Sequence, residues 1–469
     1  MNKQLIKPSL SLLSVCLLLG ACSQNVAPDA TAVVPPPSWQ FAQERASLAV
    51  NQPWWQQFGS PELNRLIAQA QAGSYDLAAA VARVQQAQAG AVIAGAPLLP
   101  EVKFGGSGNR EKLLRGNGYS QLDATDDNKA VDYFDANLTA SYEVDFWGGK
   151  AAARDSAVQA LRASEFDRAT VELTLLSSVA NRYVQTLAFD EQLRIARLNL
   201  ANAQRVLKVV QTRHDAGSAT ALELAQQTSL VASQQRHVPL VEQQAREARI
   251  SLAVLLGKPV QQLQLGATPF ARLHWPSIGS GVPSQLLSRR PDIASAEAKL
   301  AAAHADITVA RAAMLPSLTL GASLGSGADR LSDVLRSPFY NLTAGLAAPL
   351  FNNGRLSAER DKAIARQQEL LHTYRASIIS AFADVEKALN SANGLDRQRQ
   401  WQDEELKQAQ QAFAIAQHRY AAGAEVLLTV LDTQRTLYQT QDQHVQLRLA
   451  RLQASIALYK ALGGGWHAR

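Results

Sequence analysis

Asp135-Ala-Asn-Leu-Thr-Ala-Ser-Tyr-Glu-Val-Asp-Phe146 decides the fold. Ala136, Leu138, Ala140, Tyr142, Val144 and Phe146 are apolar; Asp135, Asn137, Thr139, Ser141, Glu143 and Asp145 are polar. This unbroken alternation has the two-residue period of a strand. Working outward, Glu101 to Ser107 repeats it weakly. Ser317 to Gly325 sets Leu318, Leu320, Ala322 and Leu324 on one side, and Leu342, Ala344, Leu346, Ala348 and Leu350 share another face. The predicted strands are about 101–109, 134–147, 317–326 and 340–351. Each has about ten residues, enough to cross a bilayer when tilted. A soluble sandwich also alternates, but four strands are few for one in 469 residues. They are likewise too few to close a spanning barrel, which takes about eight or more, and open edges cannot sit in lipid. In a membrane, several chains must therefore share one barrel.

The strands belong to an internal repeat, which must be recognised before any fold is assigned. Arg213-His-Asp-Ala-Gly217 is answered 206 positions later by Arg419-Tyr-Ala-Ala-Gly423, and Leu255-Leu-Gly257 by Ala461-Leu-Gly463. Ala96-Pro-Leu-Leu-Pro100 is answered by Ala312-Ala-Met-Leu-Pro316. The polar loop from about Gly105 to Asp132 is longer than its counterpart from Gly325 to Phe339, which shortens the second copy; both are expected outside the cell. Lys150 to Ala216 contains neither Pro nor Gly, and Arg355 to Ala422 only Gly394. At 1.5 Å per residue each stretch reaches roughly 100 Å as one helix, the length of a coiled coil or tube rather than a globular domain. Gly217 and Gly423 supply the positive φ that ends such helices. The expected helices are 150–216 and 219–256 in the first copy and 355–422 and 425–462 in the second. Pro239 should kink its helix. The two copies span 45–260 and 261–469, each a long antiparallel hairpin with two strands. Such hairpins also build scaffolds without a pore; the strands argue for a channel.

Residues 1–21 read as a signal peptide: Lys3 and Lys7, then a mostly apolar run from Leu10 to Leu19. It ends in Leu19-Gly-Ala-Cys22, which reads as a lipobox with Cys22 as the expected lipid-carrying residue; an ordinary secretory signal with a chance cysteine is the alternative. The other cysteine, Cys16, leaves with the peptide, so no disulfide is expected. Ser23 in place of Asp favours the outer membrane. Residues 22–44 form an N-terminal tether, rich in Ala and Pro as far as Pro37. The formal charge of +6 falls to +4 without Lys3 and Lys7, giving no nucleic-acid signal.

Further motifs carry a family resemblance. Trp54-Trp-Gln-Gln-Phe58-Gly-Ser-Pro61-Glu-Leu63, Leu286-Leu-Ser-Arg-Arg-Pro-Asp-Ile293, Val309 to Leu318, Glu143-Val-Asp-Phe-Trp147-Gly148, Phe351-Asn-Asn-Gly-Arg355 and Leu462-Gly-Gly-Gly-Trp466 resemble, in order, the outer-membrane efflux lipoproteins of the TolC family, its OprM-like or NodT-like branch. The likeness covers about residues 45–466. It implies a mostly α fold with a membrane β-barrel: a homotrimer sharing twelve strands in outer-membrane lipid above a periplasmic helical tunnel. Short helices near Trp54 to Ala72 and Gln285 to His304 would form its equatorial band. The partners implied are a periplasmic adaptor and an inner-membrane pump of the RND type, with drugs or other small toxic compounds as cargo. The family's constriction falls on Leu428 and Asp432, with Arg435 one turn away, available to bridge to a neighbouring helix. Three Asp432 carboxylates facing a narrow lumen would attract cations; a solvated place on the outside of the coiled coil is the alternative. Arg213, Gly217, Arg419 and Gly423 match the adaptor-docking tips, although Ser218 and Ala424 stand where the family has bulky apolar residues.

No catalytic set, phosphate loop or metal-ligand cluster is visible, so neither enzyme activity, cofactor nor metal is expected. The remaining alternatives are a non-conducting, lipid-anchored periplasmic scaffold and a duct for secreted peptides or proteins.

Overall fold

The computed structural model describes residues 33–41, 53–112, 130–266, 268–276 and 278–466. The expected signal peptide, Cys22, most of the tether and the centre of the first extracellular loop lie outside these residues. Pro35–Arg469 forms one compact unit, to which all that follows refers.

The first copy contributes α1 (Pro61–Gly73), α2 (Tyr75–Gly95), β1 (Glu101–Glu111), β2 (Val131–Val144), α3 (Gly149–Asp215) and α4 (Ala221–Leu255). The second repeats the order: α5 (Pro283–Arg289), α6 (Pro291–Ala312), β3 (Ser317–Ala328), β4 (Pro338–Ala347), α7 (Arg355–Ala421) and α8 (Leu427–Ala461). Both long helices have 67 residues and both return helices have 35. Helix α4 continues uninterrupted across Pro239.

The strand ends differ from the sequence reading for a local reason. β2 stops at Val144, because Asp145 turns out of the strand and its carboxylate accepts from the Lys150 and Ala151 N–H groups at 3.0 and 2.8 Å. Two N–H groups at the start of α3 thus find a partner and a favourable negative charge. Gly148, at φ +71°, makes that turn. β4 ends at Ala347, two residues before Pro349, so Ala348 and Leu350 lie beyond the strand. The second loop shrinks to the residues between Ala328 and Pro338.

The sheet order is β1-β2-β3-β4, all antiparallel, so the two copies join through β2 and β3. On the helical side α3 packs against α2, α4, α6 and α8, and α7 against α6 and α8. Around the middle of the long helices, Trp54 is fully buried and stacks on Tyr459 at 5.1 Å. Burial pushes the Tyr459 hydroxyl up to about 12. Arg290 grips Asp292 at 2.7 Å and Asp384 of α7 at 3.1 Å. Burial alone would raise the Asp292 carboxyl; Arg290 more than offsets it and holds it below the usual range. The connector between the copies lies over α7 and α8, where the Trp275 ring faces the guanidiniums of Arg399 and Arg448, each at 4.9 Å. Within the expected tether, Trp39 is anchored: it is buried, packs on Phe382 and donates to the Gly281 carbonyl at 3.0 Å.

Candidate functional site

Strand register sorts the sheet into two chemically distinct faces. Phe104, Leu138, Leu324 and Tyr340 are paired across all four strands, as are Val102, Ala140, Ala322 and Leu342. Directly paired residues point to the same side, so these rows make one apolar face, continued by Tyr142, Leu320 and Ala344. The opposite face carries Lys103, Thr139, Ser323 and Asn341 at one level and Glu101, Ser141, Gly321 and Thr343 at the next. In the chain alone the apolar face is open: Phe104, Leu138, Leu324 and Tyr340 are 77%, 46%, 58% and 78% exposed. β1 pairs only with β2, and β4 only with β3, leaving both edges unpaired. An apolar outer face, a polar inner face and unpaired edges fit one sector of a lipid-facing barrel. No described helix is long and apolar enough to cross a membrane.

At the far end, each hairpin turns at a glycine in the left-handed region, Gly217 at φ +72° and Gly423 at φ +77°. The Ser218 and Ala424 N–H groups reach back to the Arg213 and Arg419 carbonyls at 2.7 and 2.8 Å, closing both helix ends alike. Thr220 then starts α4 with a capping box to Glu223. Val426 starts α8 without a side-chain cap. The Glu425 carboxylate instead accepts from the Val426 N–H at 3.3 Å and the Thr429 hydroxyl at 3.1 Å. Those bonds, with Arg419 at 3.3 Å, hold it below the usual carboxylate range. Of the predicted tip residues, Arg419 is exposed, whereas Arg213 is half-buried and turned toward the other hairpin. Its guanidinium donates to the Tyr420 carbonyl at 2.7 Å and lies 4.7 Å from the Tyr420 ring.

Leu428 and Asp432 lie one turn apart on the exposed face of α8, with Leu428 57% exposed. Arg435 shares this face. Neither Asp432 nor Arg435 has an ion-pair partner among the described residues. The opposite face of α8 is buried through Leu427, Val430, Leu431 and Gln434. Directly behind, the Gln434 amide donates to the Tyr438 hydroxyl at 2.6 Å, and that hydroxyl donates to the Asn199 carbonyl of α3 at 2.8 Å. Burial pushes the Tyr438 hydroxyl up to about 12, so it remains a donor. Three side chains here escaped the sequence reading: Tyr420, Tyr438 and Leu222. Leu222 is the counterpart of Leu428 in the first copy and is 66% exposed. The 206-residue offset would have found Leu222, and it would have marked Tyr420 as the place where the copies differ, His214 against Tyr.

A barrel sector joined to paired long helical hairpins defines an outer-membrane channel whose wall continues as helices. The chain belongs to the outer membrane efflux protein family, which it matches over residues 66–258 and 282–464. It is 63% identical over 459 residues to the pyoverdine export outer membrane protein OpmQ of Pseudomonas aeruginosa, covering 98% of this chain and 97% of that one. It is 31% identical over 463 residues to the cation efflux system protein CusC of Escherichia coli, covering 97% and 98%. Among solved structures, the outer-membrane channel OprN superposes with a TM-score of 0.87 at 26% identity, covering 94% of this chain and 99% of that one. The protein is thus an outer-membrane efflux protein, and its family is one of transport rather than catalysis.

Proposed function

We propose that the protein is the outer-membrane export duct for a siderophore of the pyoverdine type. The observation that carries this cargo is the 63% identity, along nearly the whole of both chains, to a pyoverdine export protein. Identity to the cation efflux protein is half that. Siderophore export therefore replaces the drugs and toxic compounds expected from the family resemblance. Deleting the gene in its own host should lower siderophore in the medium and raise it in the periplasm, and plasmid-borne protein should restore both. An unchanged distribution would remove the cargo assignment.

Residues 1–21 are the signal peptide, 22–44 the tether with lipid on Cys22, and 45–260 and 261–469 the two repeats. Three chains join β1 of one to β4 of the next and close twelve strands. The two unpaired edges favour this over a scaffold, which has no use for them. Leu428 and Asp432 form the constriction, and Arg435 bridges to a neighbouring helix. The exposure of all three, and the lack of an ion-pair partner for Asp432 and Arg435 among the described residues, support that reading. The turns at Gly217 and Gly423, with Arg419, meet the periplasmic adaptor of an RND-type pump. Arg213 holds the two tips together.

A further inference from the structure

Trp401 of α7 is 73% exposed, the most open of the described tryptophans. It borders a groove of about 570 Å³ between α7 and α8 whose lining includes Gln398, Gln402, Glu405, Gln443 and Gln446. The Gln402 amide donates to the Thr440 carbonyl at 3.2 Å, and Gln446 to Asp442 at 2.7 Å. The side-chain amides of Gln398 and Gln443 have no hydrogen-bond partner among the described residues. No lysine or arginine lines the groove, so it is poorly suited to an anion. A bare indole rimmed by amides and one carboxylate suits a flat ring that stacks on one side and carries hydroxyl donors at its edge.

Its position gives the groove a purpose. Leu428, Asp432, Arg435, Gln439, Gln443 and Gln446 are all exposed. At 3.6 residues per turn they fall within an arc of about 80° on α8. His444, Arg448 and Arg451 point elsewhere, toward Asp403, the connector at Ala271 and Leu273, and Asp396. The groove therefore opens on the same side as the proposed constriction, about 21 Å further along the helix from Asp432 to Gln446.

We infer that Trp401 and its neighbouring glutamines form a docking station inside the tunnel that takes a planar hydroxylated aromatic group of the cargo. This rests on the reading that Leu428 and Asp432 face the lumen and that the cargo is a siderophore. Ring stacking on Trp401 and hydrogen bonds to the amides and Glu405 hold the cargo briefly once it has passed the constriction.

The test is equilibrium dialysis of the purified full-length protein in detergent against pyoverdine, whose chromophore is such a ring, and against a hydroxamate siderophore with no aromatic ring. Trp401→Ala should weaken pyoverdine binding about three- to tenfold, the range of one aromatic pair. Trp401→Phe should stay within about twofold of native, and the ring-free siderophore should not respond to either change. Equal binding of pyoverdine by native and Trp401→Ala proteins overturns the station and leaves the export reading standing. Binding loss that follows dissociation of the assembly on size exclusion also overturns it, because the ring is then an interface residue. Absence of binding to the native protein overturns it too, and the gene-deletion experiment shows separately whether the cargo assignment falls with it.

Discussion

Leu138→Arg tests the membrane face. Leu138 sits on β2, paired with Phe104 on one side and Leu324 on the other. Phe134 and Tyr142 lie four residues to either side, about 13 Å along the strand. With strands tilted at about 40°, each is about 10 Å away in height, which puts Leu138 near the middle of an apolar band about 25 Å tall. An arginine at such a depth costs about 2–4 kcal/mol per chain. The control is the next residue, Thr139→Arg, on the face shared with Lys103, Ser323 and Asn341. There the side chain meets a polar lumen, and a cost below about 1 kcal/mol is expected, as near a barrel's wet margins. Leu342→Arg on β4 should behave like Leu138→Arg. The assay is denaturant unfolding of protein reconstituted in phospholipid vesicles, each variant beside native. Equal costs at 138 and 139 would refute a two-faced sheet. A larger cost at 139 would reverse which face meets lipid.

Other expectations follow from single contacts. Cys22→Ser should abolish incorporation of labelled palmitate while the protein still folds and assembles; continued labelling would contradict the lipobox. Arg213→Ala removes a charged hydrogen bond and a ring contact, a loss of about 1–3 kcal/mol. Arg213→Lys, which keeps the charge but not the planar fork, should cost about 0.5–1 kcal/mol. Hydrogen exchange at residues 213–220 should rise more in the first variant, and equal protection in both would show that the two hairpin tips are not coupled here. His444 lies 3.4 Å from Asp403, and burial, with Arg448 and Arg399 nearby, lowers its pKa despite that carboxylate. A depressed histidine resists protonation in the folded state. Its contribution is therefore intact above about pH 6.5, the unfolded value, and is lost as pH falls toward the folded pKa. His444→Gln should flatten the decline in thermal stability below pH 6.5, and an unchanged slope would exclude this residue.

What was legible in the sequence was whatever one period or one residue type controls. Alternation from Asp135 to Val144 marked a strand because side chains on a strand change face at every residue. The lack of Pro and Gly from Lys150 to Ala216 marked the long helix, and Gly217 and Gly423 marked its turns. Asp145 reads as strand because its polarity satisfies the alternation, while its carboxylate serves the helix that follows. The Arg213–Tyr420 contact, the hold of Tyr438 on Asn199 and the clamp on Trp275 were invisible. Each joins residues of different hairpins or of the connector, often about 200 positions apart. No local period records such a meeting. Leu428, Asp432 and Arg435 were reached through family resemblance, and the structure adds their common exposed face. Trp401 has no periodic partner and fits no quoted motif; only its exposure beside the glutamines marks it.

Single-channel conductance of the purified protein in planar bilayers, native beside Asp432→Ala, comes first. A gated duct predicts small, cation-selective openings in the native protein that widen or lose selectivity once the three carboxylates are gone. Conductance indifferent to the substitution would take the constriction away from Asp432. Silence from both proteins, when each is shown to be inserted, would contradict a channel and favour a scaffold.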